Sequence, residues 1–286
     1  MLGNGQFEVN GYEFGCDSPV KVLTLQTGGL RWRVQDQENP VSDGVWFGAD
    51  YVDPEPIEMD ASVTGSTPAE AREELARFFR AWHAWDRATP GSEVALRYGI
   101  HGDERVVYGR PRDFNFNETT LWSQPRVRGN LLFERSGHYF YGAQRKLPLT
   151  ITPGTAGGLV FPIVFPWGTT QGGTRQGVIE DGGGEVPTDD VQLTVRGPIN
   201  RPIIRGAGWQ VALSTSLAWD RSITINTRQR TALWDNGSSA AGTLSRRSRL
   251  SDVVIPPGSS EIRFEGEDLS GTSQLLVSWR PAYTSI

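Results

Sequence analysis

The residues with the greatest chemical potential are few and widely scattered. The 286-residue chain has three histidines, His83, His101 and His138, and one cysteine, Cys16. A closed zinc site would need all four to converge from distant segments, since none of the close ligand spacings occurs. Paired carboxylates of the kind that perform acid/base work on glycosides are present as Asp50 with Asp53 and Glu73 with Glu74. In a chain with 33 acidic residues such pairs arise by chance. The acidic loops at 180–185 and 265–268 offer several oxygens to a hard cation, yet neither has the twelve-residue calcium-loop pattern. No Gly-x-Ser-x-Gly elbow occurs. Neither lysine, Lys21 or Lys146, sits in a phosphate-cradling glycine loop. Gly182-Gly183-Gly184 does not follow a strand and open a helix, which leaves it weak as a dinucleotide fingerprint. Asn117-Glu118-Thr119 and Asn236-Gly237-Ser238 match the glycosylation acceptor but read as exposed turns. The basic run Arg246-Arg247-Ser248-Arg249 is isolated and reads as a solvated loop. The expectation is a non-enzymatic protein with no catalytic, cofactor-binding or metal-binding residues and no cofactor.

The elements that would position any site are mostly strands. With 34 Gly and 18 Pro the chain is ill-suited to long helices, because glycine raises the entropy cost and proline removes a donor. Apolar and polar residues alternate in Leu30-Arg31-Trp32-Arg33-Val34, which predicts a strand with one apolar face. Similar strands are predicted at 20–25, 45–51, 57–63, 94–98, 105–109 and 127–133. His101-Gly102-Asp103-Glu104 has hairpin-turn composition. One helix is marked by the capping box Thr67-Pro68-Ala69-Glu70, followed by Ala71, Leu75, Phe78, Phe79 and Trp82 at helical spacing. That stripe reads as a core face packed on a sheet.

Composition changes between Pro148 and Pro187, where glycine-rich loops surround the apolar island 159–167. A domain boundary is expected near residue 150, giving domains 1–150 and 151–286, with the island as the first strand of the second. Further strands are predicted at 191–195, 209–213, 223–227, 229–234, 261–265 and 275–279, with a turn at Asp235-Asn236-Gly237. This spacing reads as an antiparallel sandwich.

The net charge of −5 falls wholly within residues 1–150; the remainder is neutral. No part is basic enough for a general nucleic-acid-binding role. Of 28 basic residues, all but two are arginine, which either a GC-rich coding sequence or planar hydrogen bonding at interfaces explains. A lone cysteine implies no internal disulfide. The first residues have neither the basic nor the apolar region of a signal peptide, and the island is too short and too proline-broken to span a bilayer. The chain reads as soluble, made in a cytoplasm and without a membrane partner.

Ordered segments from 159 to 283 carry a family resemblance. They are the proline-punctuated island 159–167; Val191-Gln192-Leu193-Thr194-Val195-Arg196-Gly197-Pro198-Ile199-Asn200-Arg201-Pro202; Ile223-Thr224-Ile225-Asn226-Thr227 with Trp234-Asp235-Asn236-Gly237; Ile255-Pro256-Pro257-Gly258 with Glu261-Ile262-Arg263-Phe264; and Trp279-Arg280-Pro281-Ala282-Tyr283. In order and spacing this resembles the distal tail protein (minor tail protein) family of long non-contractile-tailed phages, of the actinobacteriophage type. Asn226 stands where an Asp is more usual. Val107-Tyr108-Gly109-Arg110-Pro111-Arg112 and the segment from Phe133 to Tyr141 fit more loosely.

The resemblance implies a mainly β fold: an N-terminal β-rich belt domain with one α-helix, then a C-terminal galectin-like antiparallel β-sandwich. It implies a structural virion protein of the tail tip, forming a homo-oligomeric, hexameric ring. The implied partners are further copies of itself, the tail tube protein, the tail hub protein and receptor-binding or other minor tail proteins. Genomic DNA would only pass through the channel, and an acidic N-terminal half would not hold it back. An alternative from another class is a carbohydrate-binding module contacting the host surface, with Trp209, Trp219 and Trp234 as stacking residues. A hydrolase of the host envelope is a third, without any acid/base pair to recommend it.

Overall fold

The computed structural model describes residues 2–151, 173–268 and 270–285. The predicted island strand at 159–167 lies outside the described residues. The chain divides into two compact units, Met1–Tyr141 with Thr284–Ile286, and Gly142–Tyr283. Both are built of antiparallel sheet, so the fold is mainly β with one α-helix.

In the first unit the strands are β1 (Gln6–Val9), β2 (Tyr12–Gly15), β3 (Val20–Gln26), β4 (Leu30–Arg33), β5 (Gln37–Glu38), β6 (Val45–Trp46), β7 (Tyr51–Pro54), β8 (Ile57–Thr64), β9 (Val94–Ile100), β10 (Asp103–Phe116), β11 (Arg126–Arg135) and β12 (Phe140–Tyr141). The main sheet runs β2-β1-β9-β10-β11-β8-β3, with β12 beside the start of β10. β4 pairs with β7 and β5 with β6, away from that sheet. The strand predicted over 45–51 is two short strands, β6 and β7. The hairpin turn is only His101-Gly102, both at positive φ, and Asp103 and Glu104 already belong to β10.

Helix α1 (Pro68–Trp82) starts where the capping residues place it: the Thr67 hydroxyl accepts from the Glu70 amide, and Pro68 occupies the first turn. The Glu70 carboxylate accepts from the Ser66 amide, one residue before the helix cap. Ala71, Leu75, Phe78 and Trp82 are buried against the sheet, while Phe79 is half exposed. The Phe78 ring is the hub of this layer. It lies 5.4 Å from Tyr12, 5.0 Å from Phe14, 5.9 Å from Trp82 and 5.3 Å from Phe114. Four residues of the helical stripe are therefore core, as its spacing implies, and Phe79 is not.

The second unit contains β13 (Arg145–Thr150), β14 (Gly173–Ile179), β15 (Val191–Arg196), β16 (Ile199–Gly206), β17 (Trp209–Ala212), β18 (Ser216–Leu217), β19 (Ser222–Asn226), β20 (Thr231–Trp234), β21 (Ser260–Glu267) and β22 (Gln274–Trp279). They form two sheets, β13-β22-β15-β19-β20 and β14-β21-β16-β17, the second with β18 on β16. One core joins the two sheets, drawing Val191, Leu193, Ile225 and Val277 from the first and Ile204, Val211, Ile262 and Phe264 from the second. Alternate residues of β15, β17 and β19 point into that core, so the two sheets make an antiparallel sandwich.

Candidate assembly surface

The residues that sequence chemistry singled out do not converge. His83 stacks on Phe79, with ring centroids 4.3 Å apart, and its Nδ1 lies 3.0 Å from the Phe79 carbonyl oxygen. His101 is in the exposed β9–β10 turn, and His138 packs on Tyr139. Cys16 is an exposed free thiol. Glu73 and Glu74 both pair with Arg77 at 3.1 Å, and Glu74 also accepts from the Tyr12 hydroxyl at 2.5 Å. Burial first, then the Glu74 carboxylate, pushes the Tyr12 phenol well up. Asp53 faces Arg33 at 3.6 Å, while Asp50 is exposed.

Four carboxylates of the acidic loops are likewise committed to their own surroundings. Asp181 accepts from the Gly183 amide at 2.8 Å and from Arg145 at 3.3 Å; these hold its carboxyl below the usual range. Glu265 meets Arg205, and Glu267 meets Asn200 and Arg201. The Asp268 carboxylate accepts from the Ser270 amide and hydroxyl at 2.8 and 2.6 Å and from the Ser273 amide at 2.8 Å. Burial opposes its ionisation, but these donors outweigh it and hold the carboxyl down to about 2. Among the described residues no group of three or more potential metal ligands occurs. One charged constellation had no sequence signal: Arg97 on β9 donates to Glu8 at 2.6 Å and to Glu104 at 2.8 Å, its partners lying far apart in the chain.

A different feature stands out. Between β3 and β8 the chain leaves the main sheet as an arm built from β4 to β7. Register opposes Leu30 to Pro54, Arg31 to Asp53, Trp32 to Val52 and Arg33 to Tyr51. Period-two alternation then puts Leu30, Trp32, Val52 and Pro54 on one face, and Arg31, Asp53, Arg33 and Tyr51 on the other. On the polar face the Arg33 guanidinium, besides meeting Asp53, lies 5.3 Å from the Tyr51 ring. Among the described residues this apolar face is only partly covered: Leu30 is 42% and Trp32 59% exposed, while Val52 and Pro54 are half-buried. Farther out, Trp46 is 59%, Phe47 87% and Val41 90% exposed. Isolated two-stranded ribbons are marginal in water, and a concentrated exposed apolar surface marks an interaction site.

A second apolar feature lies on the same unit. The β3–β8 register shifts between Val22 and Thr24, so Leu23 is an extra residue and bulges outward. It borders a groove of about 770 Å³ lined also by Asp60, Phe114, Phe116, Arg128 and Asn130. Phe116 can lie low there because Gly129 is opposite; a Cβ on Gly129 would come within 2.1 Å of the Asn115 carbonyl oxygen and 2.5 Å of the Phe116 ring.

In the second unit the three tryptophans considered for sugar stacking differ. Trp209 is core, its indole N–H donating to the Val254 carbonyl at 2.8 Å, which removes it as a stacking residue. Trp234 is half-buried beneath the Arg221 guanidinium at 5.0 Å. Trp219 is 71% exposed. Arg246, Arg247 and Arg249 are exposed on a loop.

No protein-family model matches the sequence, and no curated protein matches it. Solved structures do. SPP1 Dit (gp 19.1), described as a paradigm of the hub adsorption apparatus in Gram-positive infecting phages, is 12% identical over 96% of this chain and 98% of its own, with a TM-score of 0.57. A chain of the phage P2 baseplate in its activated conformation with Ca is 10% identical over 96% and 97%, at 0.56. Another from that baseplate with Sr is 11% identical over 93% and 99%, also at 0.56. Along nearly its whole length, the chain has the fold of phage hub and baseplate proteins.

Proposed function

We propose that this chain is a structural, non-enzymatic subunit of a phage tail tip, a distal tail protein whose copies form a ring, with hexamer as the expected size. The observation that carries the proposal is the fold likeness, which spans at least 93% of both partners in each comparison. In this reading the first unit makes the ring and the second unit, which includes β13, forms a galectin-like sandwich. The ring joins the tail tube to the tail hub and receptor-binding apparatus.

The surfaces of the first unit support self-association. A head-to-tail ring needs two unlike complementary patches on each copy. The amphipathic arm is one, and the groove bordered by Leu23, Phe114 and Phe116 is the other. The acidic charge of residues 1–150 suits a channel through which DNA slides, because a basic lining would bind it. Gold labelling of an affinity tag on this chain in intact virions should mark the distal end of the tail. Label on the capsid or on a fibre shaft would overturn the assignment.

A second reading, recognition of host glycans, is favoured by the exposure of Trp219 near the Arg221–Trp234 stack in sequence. An exposed indole is a good platform for a sugar ring. Retention of the full chain on host cell-wall glycan, lost in Trp219→Ala, would support it; no retention would end it.

A further inference from the structure

The arm leaves the sheet through a narrow neck formed by Gly29 and Glu55, the residues flanking β4 and β7. Their backbones pair, the Glu55 amide donating to the Gly29 carbonyl at 3.3 Å. The Gly29 amide donates to the Glu55 carboxylate at 2.8 Å. Gly28 must stay glycine for this approach: its φ is +67°, and a Cβ would come within 2.6 Å of the Pro56 carbonyl oxygen.

A third strand reaches the same point. Arg135, at the end of β11, donates from Nε to the Glu55 carbonyl at 2.9 Å and from Nη2 to the Gly29 carbonyl at 3.2 Å. One planar guanidinium thus bridges both sides of the neck. Arg135 is only 4% exposed, and the Phe140 ring packs 5.0 Å from its guanidinium carbon. Its Nη1 is buried without an acceptor. Burial pulls its pKa down, outweighing the opposing effects of Tyr98 and of the Glu55 carboxylate.

A buried cation is costly even with the Glu55 charge acting on it, and an apolar side chain of similar volume would fill the space more cheaply. What the apolar side chain could not do is hold two carbonyls of separate strands in one plane. Lysine could not either, being a point charge without the fork. We infer that Arg135 is the positioning residue of the arm, tying both sides of its neck to the sheet so that the ribbon's apolar face is presented at a set angle. The inference rests on the reading of the arm as an assembly surface. A held arm loses less freedom on docking than a swinging one, and that difference appears as affinity.

The test uses the full chain, wild type and Arg135→Met, with Arg135→Lys as a second variant in case one folds poorly. Hydrogen exchange should accelerate by about tenfold or more at the Gly29 and Glu55 amides, as expected when a local clamp is lost. Amides in the middle of β8, β10 and β11 should keep their rates. Incorporation into tails, scored by complementing a phage that lacks the gene, should fall in both variants. Unchanged exchange at the neck, or an increase spread evenly through the sheet, would overturn the positioning role. A chain lacking residues 30–54 serves as the control for the arm itself. If it assembles normally, the arm reading fails. If it does not assemble while the Arg135 variants do, only the role of Arg135 fails.

Discussion

Asp268 shows how a carboxylate in an acidic loop can be wholly structural. Its two oxygens accept three hydrogen bonds from Ser270 and Ser273, closing the turn between β21 and β22. Because its folded pKa, about 2, lies below the ordinary 3.8, it contributes stability that is fully present above pH 4 and is lost as the pH falls toward 2. The shift corresponds to about 2 kcal/mol. In Asp268→Asn the new amide would face the Ser273 N–H with a donor instead of an acceptor. Urea unfolding at pH 7 should show this variant less stable by about 2 kcal/mol, with much of the difference gone at pH 2. Sequence composition exposed the acidic loops as candidates for a cation, but not that Asp181, Glu265, Glu267 and Asp268 had their own donors. Those donors come from residues brought close by folding, as with Arg205 and Glu265, which are cross-strand neighbours. The same holds for Trp209, whose position on alternating β17 makes it core.

Helix α1 was legible because its signals are local. A capping residue, a proline in the first turn and an apolar stripe at spacings of three and four lie within sixteen residues of each other. Thr67→Ala should cost roughly 1 kcal/mol, through the unpaired Glu70 amide. Phe78→Ala should cost roughly 3–5 kcal/mol, since it empties the hub of the aromatic layer. Thermal or urea unfolding would measure both. The arm was legible only in part. The alternation 30–34 predicts a strand with an apolar face, and by itself that pattern implies a buried face. Among the described residues Leu30 and Trp32 stay exposed, because β4 pairs with β7 and not with the main sheet. Trp32→Ser combined with Trp46→Ser should therefore leave the melting temperature within about 2 °C, as expected for exposed sites. It should nevertheless abolish incorporation into tails. A large loss of thermal stability would mean that the arm packs on its own chain.

On the scale of the whole molecule, each unit has its own core, one built around Phe78 and the other shared by two sheets. Calorimetry of the full chain should accordingly resolve two unfolding transitions, with Phe78→Ala lowering one and Asp268→Asn the other. A single transition lowered equally by both would show that the units unfold together. What the sequence determined alone is the part written in short-range pattern: a mainly β chain, one capped helix, an acidic first half, and no clustered motif for metal, phosphate or nucleophile. What tertiary structure decided is which strands meet. The guanidinium of Arg135 reaches Gly29 across an intervening 105 residues, and nothing in the identity of either residue signals it. Likewise, whether the apolar face of 30–34 is core or surface depends on its neighbours in the sheet, because a strand's own pattern defines two faces and names neither as the inside.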